Sequence, residues 1–158
     1  MIDLHFLPLG DVKKERIESV KLAVEIELKV NIQLVEREIL PRQFHNNLRK
    51  QYSAAHILNH LVQKHMFSSI KIVAFMKEDL YLLPLDYILA VTDSTQHVAL
   101  ISTARLKDMD RIIKATLHEI GHLFGLEHCE TEDCIMFPTQ GDVKLIDKKK
   151  HFCQKHRI

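Results

Sequence analysis

The sequence predicts an α/β fold. It reads as a single domain built on a twisted mixed sheet of about five strands, with one antiparallel edge strand, crossover helices and a late long helix, followed by a loop-rich C-terminal segment. Three observations predict this. Strand-like and helix-like periods alternate as β-α-β-α-β through the first half, which favours parallel strands joined by right-handed helical crossovers. Two later apolar runs are separated by only six residues, too few for a crossover, so they pair antiparallel. Helical periodicity returns once more and ends at Gly125. The 158 residues are 46% apolar with no low-complexity tract, enough for one core and no second domain.

The elements follow in order. Ile2, Leu4 and Phe6 alternate with Asp3 and His5 as in a half-buried strand, which Pro8, Gly10 and Asp11 interrupt. Asp11 is the expected N-cap of a helix over residues 13–28, whose Ile17, Val20, Val24 and Leu28 recur at spacings of three and four. Val30, Ile32 and Leu34 restore period two. A second helix is expected from about residue 47 to 65, with Ile57, Leu58, Leu61 and Val62 as its apolar stripe. Residues 70–76 are almost continuously apolar, the mark of a strand covered on both faces. Residues 87–91 and 98–102 are the antiparallel pair, and 87–91 is the candidate edge. The last helix, about 108–124, opens at Asp108, carries Ile113, Leu117, Ile120 and Phe124, and stops at Gly125. Residues 1–125 thus form a sheet-and-helix part, and 126–158 a loop-rich one.

Composition excludes several classes of function. The first residues lack a basic leader pattern and no apolar run approaches the ~20 residues of a bilayer span, so the chain reads as cytoplasmic with no membrane partner. A formal charge of +1 argues against a dedicated nucleic-acid binder. Eleven histidines and three cysteines instead point towards metal, because an odd set of thiols cannot all pair in disulfides.

The decisive stretch is His118-Glu119-Ile120-Gly121-His122-Leu123-Phe124-Gly125-Leu126-Glu127-His128. One helical turn separates His118 from His122, so both imidazoles leave the same face and can share an ion. Glu119 lies about 100° round the helix, where a carboxylate can serve as a base towards a metal-bound water. A continued helix would carry His128 about 15 Å along the axis and out of reach. Gly125 permits the turn that returns it. A chance His-Glu-x-x-His in this composition has a probability of roughly 5%, and the added Gly125 and His128 lower it to about one in ten thousand. Three imidazoles leave one position of a tetrahedral zinc open, as catalysis needs.

This string resembles the extended zinc-binding consensus of the metzincin metallopeptidases. Its continuation CETEDCIM, with Cys153 further on, resembles the archaemetzincins in particular. The resemblance implies a metzincin-like domain in which His118, His122 and His128 ligate a catalytic zinc, Glu119 acts as general base and acid, and Met136 forms the methionine turn beneath the metal. A flexible thioether fills such a space without ligating. It further implies peptide-bond hydrolysis through a zinc-bound water, acting on a peptide or protein. A monomer is expected. The competing reading is a zinc-organised interaction module with little or no peptidase activity.

A second constellation follows. Cys129-x4-Cys134 and Cys153-x2-His156 are two short ligand pairs joined by a loop, the layout of a structural zinc site, giving two zinc ions per chain. Archaemetzincins carry four cysteines here. In this sequence His156 replaces the last, and the interval from Met136 to Cys153 is one residue shorter than the family's. His151 is the alternative fourth ligand, with His156 favoured because it preserves paired spacing. His56 and His60 share i, i+4 spacing, yet lie opposite the apolar stripe of their helix and read as a solvated face.

Overall fold

Period-two burial sorts the central strands between two cores. The computed structural model describes residues 1–158. Its main sheet has the order β2-β1-β5-β9-β8, built from β1 (Ile2–Pro8), β2 (Val30–Leu34), β5 (Lys71–Met76), β8 (Ala90–Thr92) and β9 (Val98–Ser102). All neighbours are parallel except β8 and β9, where Val91 faces Leu100. Leu4, Phe6, Val73, Phe75, Ala99 and Ile101 point to one side and pack with α1 (Lys14–Glu27) and α3 (Met109–Leu123). Leu7, Leu9, Ile72, Ala74, Met76, Val98 and Leu100 point to the other, against α2 (Ala54–Lys64). Phe6 and Phe75 meet edge-to-face at 5.0 Å in the first core. The expected five-stranded mixed sheet with one antiparallel edge strand is therefore present, and that edge is β8. No helix is long and apolar enough to cross a membrane.

Three local expectations need correction. The second helix begins at Ala54 and not near residue 47, because the Ser53 hydroxyl accepts the His56 amide and caps it there. The preceding residues instead make a turn, in which Asn46 Oδ1 accepts the Leu48 and Arg49 amides and Lys50 adopts φ 56°. The chain then forms β4 (Gln51–Ser53), paired with β3 (His45–Asn46). Asp11 does not cap α1; that position falls to Lys13, which makes no side-chain cap bond.

The third correction bears on the cleft. Residues 87–91 do not form one strand. The run breaks at buried Leu89: β7 (Leu85–Ile88) pairs antiparallel with β6 (Leu80–Leu82) in a second sheet of order β3-β4-β6-β7, whereas β8 joins the main sheet. Between them the Leu89 carbonyl still accepts the Ser102 amide, holding the corner against β9.

Candidate active site

The site grows from the C-terminal half of α3. Asp108 caps the helix by accepting the Asp110 amide at 3.1 Å, and Ile112, Leu117, Ile120 and Leu123 bury it in the first core. At its other end Gly125 takes φ 86°, its amide bonds His122 O at 3.0 Å and the Leu126 amide bonds Gly121 O at 2.9 Å. These two bonds form a Schellman turn, which reverses the chain after one glycine. The reversal also serves the site, because the Leu126 carbonyl it delivers lies 2.9 Å from His122 Nδ1.

His118, His122 and His128 come together as the spacing predicts. His122 Nε2 is 3.1 Å from His118 Nε2 and 3.2 Å from His128 Nε2. His118 Nδ1 lies 2.7 Å from Ile135 O. The carbonyls at Nδ1 of His118 and of His122 fix the proton on those nitrogens and leave their Nε2 lone pairs free. Three lone pairs aimed at one point repel unless a cation sits between them. Their separations match zinc bound at the usual 2.0–2.1 Å, for which tetrahedral nitrogens lie about 3.4 Å apart, so the donor set fits the metal. Burial lowers the His118 pKa to about 3, with the Lys149 charge as the next cause, and burial lowers those of His122 and His128 as well. All three are thereby held in the neutral, ligating form.

Glu119 is 5% exposed and its Oε2 has no hydrogen-bond partner. Burial pushes its carboxyl up to about 8, against the lowering influences of Lys149 and Thr92. Thr92 of β8 also donates to the Glu119 carbonyl at 3.4 Å, which ties the edge strand to the helix. Met136 is fully buried, with its Sδ and methyl group against Gly121 of α3.

The second constellation also assembles. The ligating atoms of Cys129, Cys134, Cys153 and His156 lie within 4.8 Å of one another. Cys129 Sγ and Cys153 Sγ are 3.8 Å apart, the spacing of sulfurs tetrahedrally placed at about 2.3 Å from zinc, and Cys153 Sγ is 3.1 Å from His156 Nδ1. Backbone amides of Met136 and Cys153 both point at Cys134 Sγ at 3.4 Å, as suits a thiolate. His151 lies apart: its side chain is 76% exposed and its Nδ1 pairs with Glu27 at 2.9 Å. The two clusters share one piece of backbone. Cys129 follows His128, its amide bonds Met136 O at 3.0 Å, and Ile135 between them carries the carbonyl that orients His118.

A cleft of about 830 Å³ runs past the histidines, between the β7–β8 edge and residues 138–141. Tyr87 spans it, donating its hydroxyl to Gly141 O at 3.0 Å. Two residues of the site escaped the sequence reading. Lys149 is 2% exposed with its Nζ 2.7 Å from Ile135 O, whereas its neighbours Lys148 and Lys150 are exposed. Gly121 stands at a variable position of the histidine string, and its closeness to Met136 shows only in three dimensions. His56 is exposed and His60 half-buried; both pack against Phe44 in place of joining a metal cluster.

The chain matches peptidase family M54 over residues 9–157. It belongs to that family. It is 32% identical to the archaemetzincin of Saccharolobus solfataricus, over 83% of this chain and 78% of that one. It is 31% identical to the archaemetzincin of Nanoarchaeum equitans, over 73% of this chain but only 65% of that one. Among solved structures it superposes on the archaemetzincin of Methanopyrus kandleri with a TM-score of 0.84 at 25% identity, covering 98% of this chain and 90% of the other. A zinc-dependent peptidase from Methanocorpusculum labreanum also gives 0.84, at 24% identity over 98% and 97%. Membership of M54 makes this archaemetzincin-family chain a zinc metallopeptidase.

Proposed function

We propose that the chain hydrolyses peptide bonds in the cleft between β8 and residues 138–141, with His118, His122 and His128 holding the catalytic zinc and Glu119 as general base and acid. The convergence of three Nε2 lone pairs beside a buried, unpartnered Glu119 carboxylate carries this reading. Zinc held there would supply Lewis acidity towards a water and towards the scissile carbonyl. The charge of a zinc held there would draw the Glu119 carboxyl back down from the value that burial gives it, so that Oε2, which has no competing donor, takes the proton of the attacking water and delivers it to the leaving amine. The outer edge of β8 has no neighbouring strand, so an extended peptide can add to it by backbone hydrogen bonds. Cys129, Cys134, Cys153 and His156 would hold a second, structural zinc, closed to substrate by its four protein ligands. Met136 supports the first centre from below. Three free thiols committed to metal suit a reducing cytoplasm.

The test is the Glu119→Ala variant. Native mass spectrometry should count two zinc ions in both proteins, while cleavage of a peptide library is lost in the variant. Unchanged turnover removes Glu119 from the mechanism; saturable peptide binding without cleavage by the unsubstituted protein favours an interaction module.

A further inference from the structure

Lys149 is the only buried lysine or arginine of the chain, as Glu119 is the only buried carboxylate, and both line the same cleft. An ammonium offers three donors. The Ile135 carbonyl, 2.7 Å from Nζ, takes one. The other close neighbour is His118 Nδ1 at 3.1 Å, but that nitrogen is itself directed at the same carbonyl and carries its own proton whenever Nε2 ligates. It cannot accept from Lys149. No ion pair of the chain includes Lys149, since no carboxylate oxygen lies within 4.0 Å of Nζ. Two N–H groups of a buried cation are thus without an acceptor: Glu119 and Cys134 favour its charge from beyond hydrogen-bond distance, and the open donors persist only where an anion or water completes them.

The surroundings favour an anion delivered by substrate. Leu89, Ala115 and Ile146 line the same cleft as Lys149 and are themselves almost fully buried, so the cleft has a deep, apolar part. Such walls exclude water and strengthen a charge-assisted hydrogen bond to the ammonium. Nζ touches His118 at Nδ1, one imidazole ring away from the nitrogen that would hold the metal, so a group that reaches Nζ belongs to a residue close to the bond being cleaved.

Resting on the peptidase reading above, we infer that Lys149 forms the floor of a specificity subsite for a substrate carboxylate adjacent to the scissile bond. The carboxylate is either an Asp or Glu side chain or the free C-terminus of a short peptide. A site that must hydrogen-bond a charged group discriminates strongly against the neutral isostere, because the buried cation is then left unpaired.

The probes are alanine-based hexapeptides carrying Glu or Gln at each position in turn, each with a free and an amidated C-terminus. Affinities are measured on the zinc-loaded Glu119→Gln protein, which removes the need for turnover, and cleavage sites on the zinc-loaded wild type. One Glu peptide, or the free acid over its amide, should bind at least about tenfold tighter than its neutral partner. That preference should survive in Lys149→Arg and disappear in Lys149→Met. The comparison between peptides needs no substitution at position 149, so it decides even where Lys149→Met does not fold. Equal affinities for every acid and neutral pair overturn the proposal. So does a Lys149→Met protein that loses zinc while the unsubstituted pocket shows no acid preference, which assigns Lys149 to holding His118 alone. Acid preference in binding without cleavage of any peptide leaves the subsite standing and overturns the peptidase reading instead.

Discussion

Gly121 lies so close above Met136 that a Cβ at position 121 would overlap the methionine Sδ and touch its methyl group at 3.1 Å. The glycine lies in the helical turn between His118 and His122, so its missing side chain is what lets Met136 pack against that turn. Gly121→Ala should improve helix propensity by somewhat under 1 kcal/mol, yet overpacking costs about 1–3 kcal/mol, and the second effect wins because Met136 is enclosed on all sides. A melting temperature lower by several degrees is expected, together with weaker retention of the first zinc during dialysis against a chelator. A variant that melts higher and holds zinc as tightly would show that Met136 has room to move.

The second cluster separates two histidines five residues apart in the chain. His156 contributes its ring to the group with Cys129, Cys134 and Cys153, whereas His151 faces solvent and pairs with Glu27. His156→Ala should therefore lower the metal stoichiometry counted by native mass spectrometry, and loosen the shared backbone from Cys129 to Met136. His151→Ala should leave the count unchanged and cost no more than about 1 kcal/mol, the upper range for an exposed ion pair. The opposite pattern would exchange their roles. His156→Cys should keep the metal, since thiolate and imidazole both suit a tetrahedral zinc.

Across the cleft, Tyr87 connects the strand edge to the segment that follows the methionine turn. Its ring is held under Arg105, whose guanidinium carbon lies 3.6 Å from the ring centroid and whose Nε and Nη2 each donate to Asp79 at 2.9 Å. Tyr87→Phe keeps that stack and deletes only the bond to Gly141. A loss of about 1 kcal/mol or less is expected, with faster hydrogen exchange at the Asp142 amide, which bonds Thr139 in the same turn. Unchanged exchange there would mean that the rim is held by its own turn and owes nothing to Tyr87.

What could be read from the sequence was what local spacing encodes. Ile17, Val20 and Val24 announce α1, the His118 to His128 string announces the metal site, and the five-residue link after β8 announces the antiparallel edge. Strands β3, β4, β6 and β7 were not legible, since two to four residues are too few to show a period, and residues 87–91 looked like one strand because a corner at Leu89 leaves hydrophobicity unchanged. The Ser53 cap could have been found: a serine before a run of Ala and His is a helix-start signal that the longer apolar periodicity obscured. Lys149 could not. It stands 31 residues from His118, in a run of three lysines of which only one turns inward, and no pattern in the run distinguishes it.

The turn between β8 and β9 should make the cleft edge sensitive to acid. Asp93 Oδ1 accepts the His97 and Val98 amides at 2.8 and 2.7 Å, and Oδ2 accepts the Thr95 amide at 2.9 Å and its hydroxyl. Burial alone would raise this carboxyl, but these hydrogen bonds outweigh it and hold the pKa below the ordinary aspartate value. With the folded pKa depressed, the unfolded chain binds the proton first as pH falls. The stabilisation is therefore complete above the ordinary carboxyl range, near pH 4, and is lost as pH drops through the lower folded value. Asp93→Ala should cost about 1–3 kcal/mol at neutral pH and flatten the acid limb of the stability curve, both read from urea titrations between pH 7 and pH 3. Because Asp93 anchors the end of β8, the same variant should raise KM for peptides more than it lowers kcat. Parallel stability curves for the two proteins below pH 5 would place the acid sensitivity of the fold elsewhere.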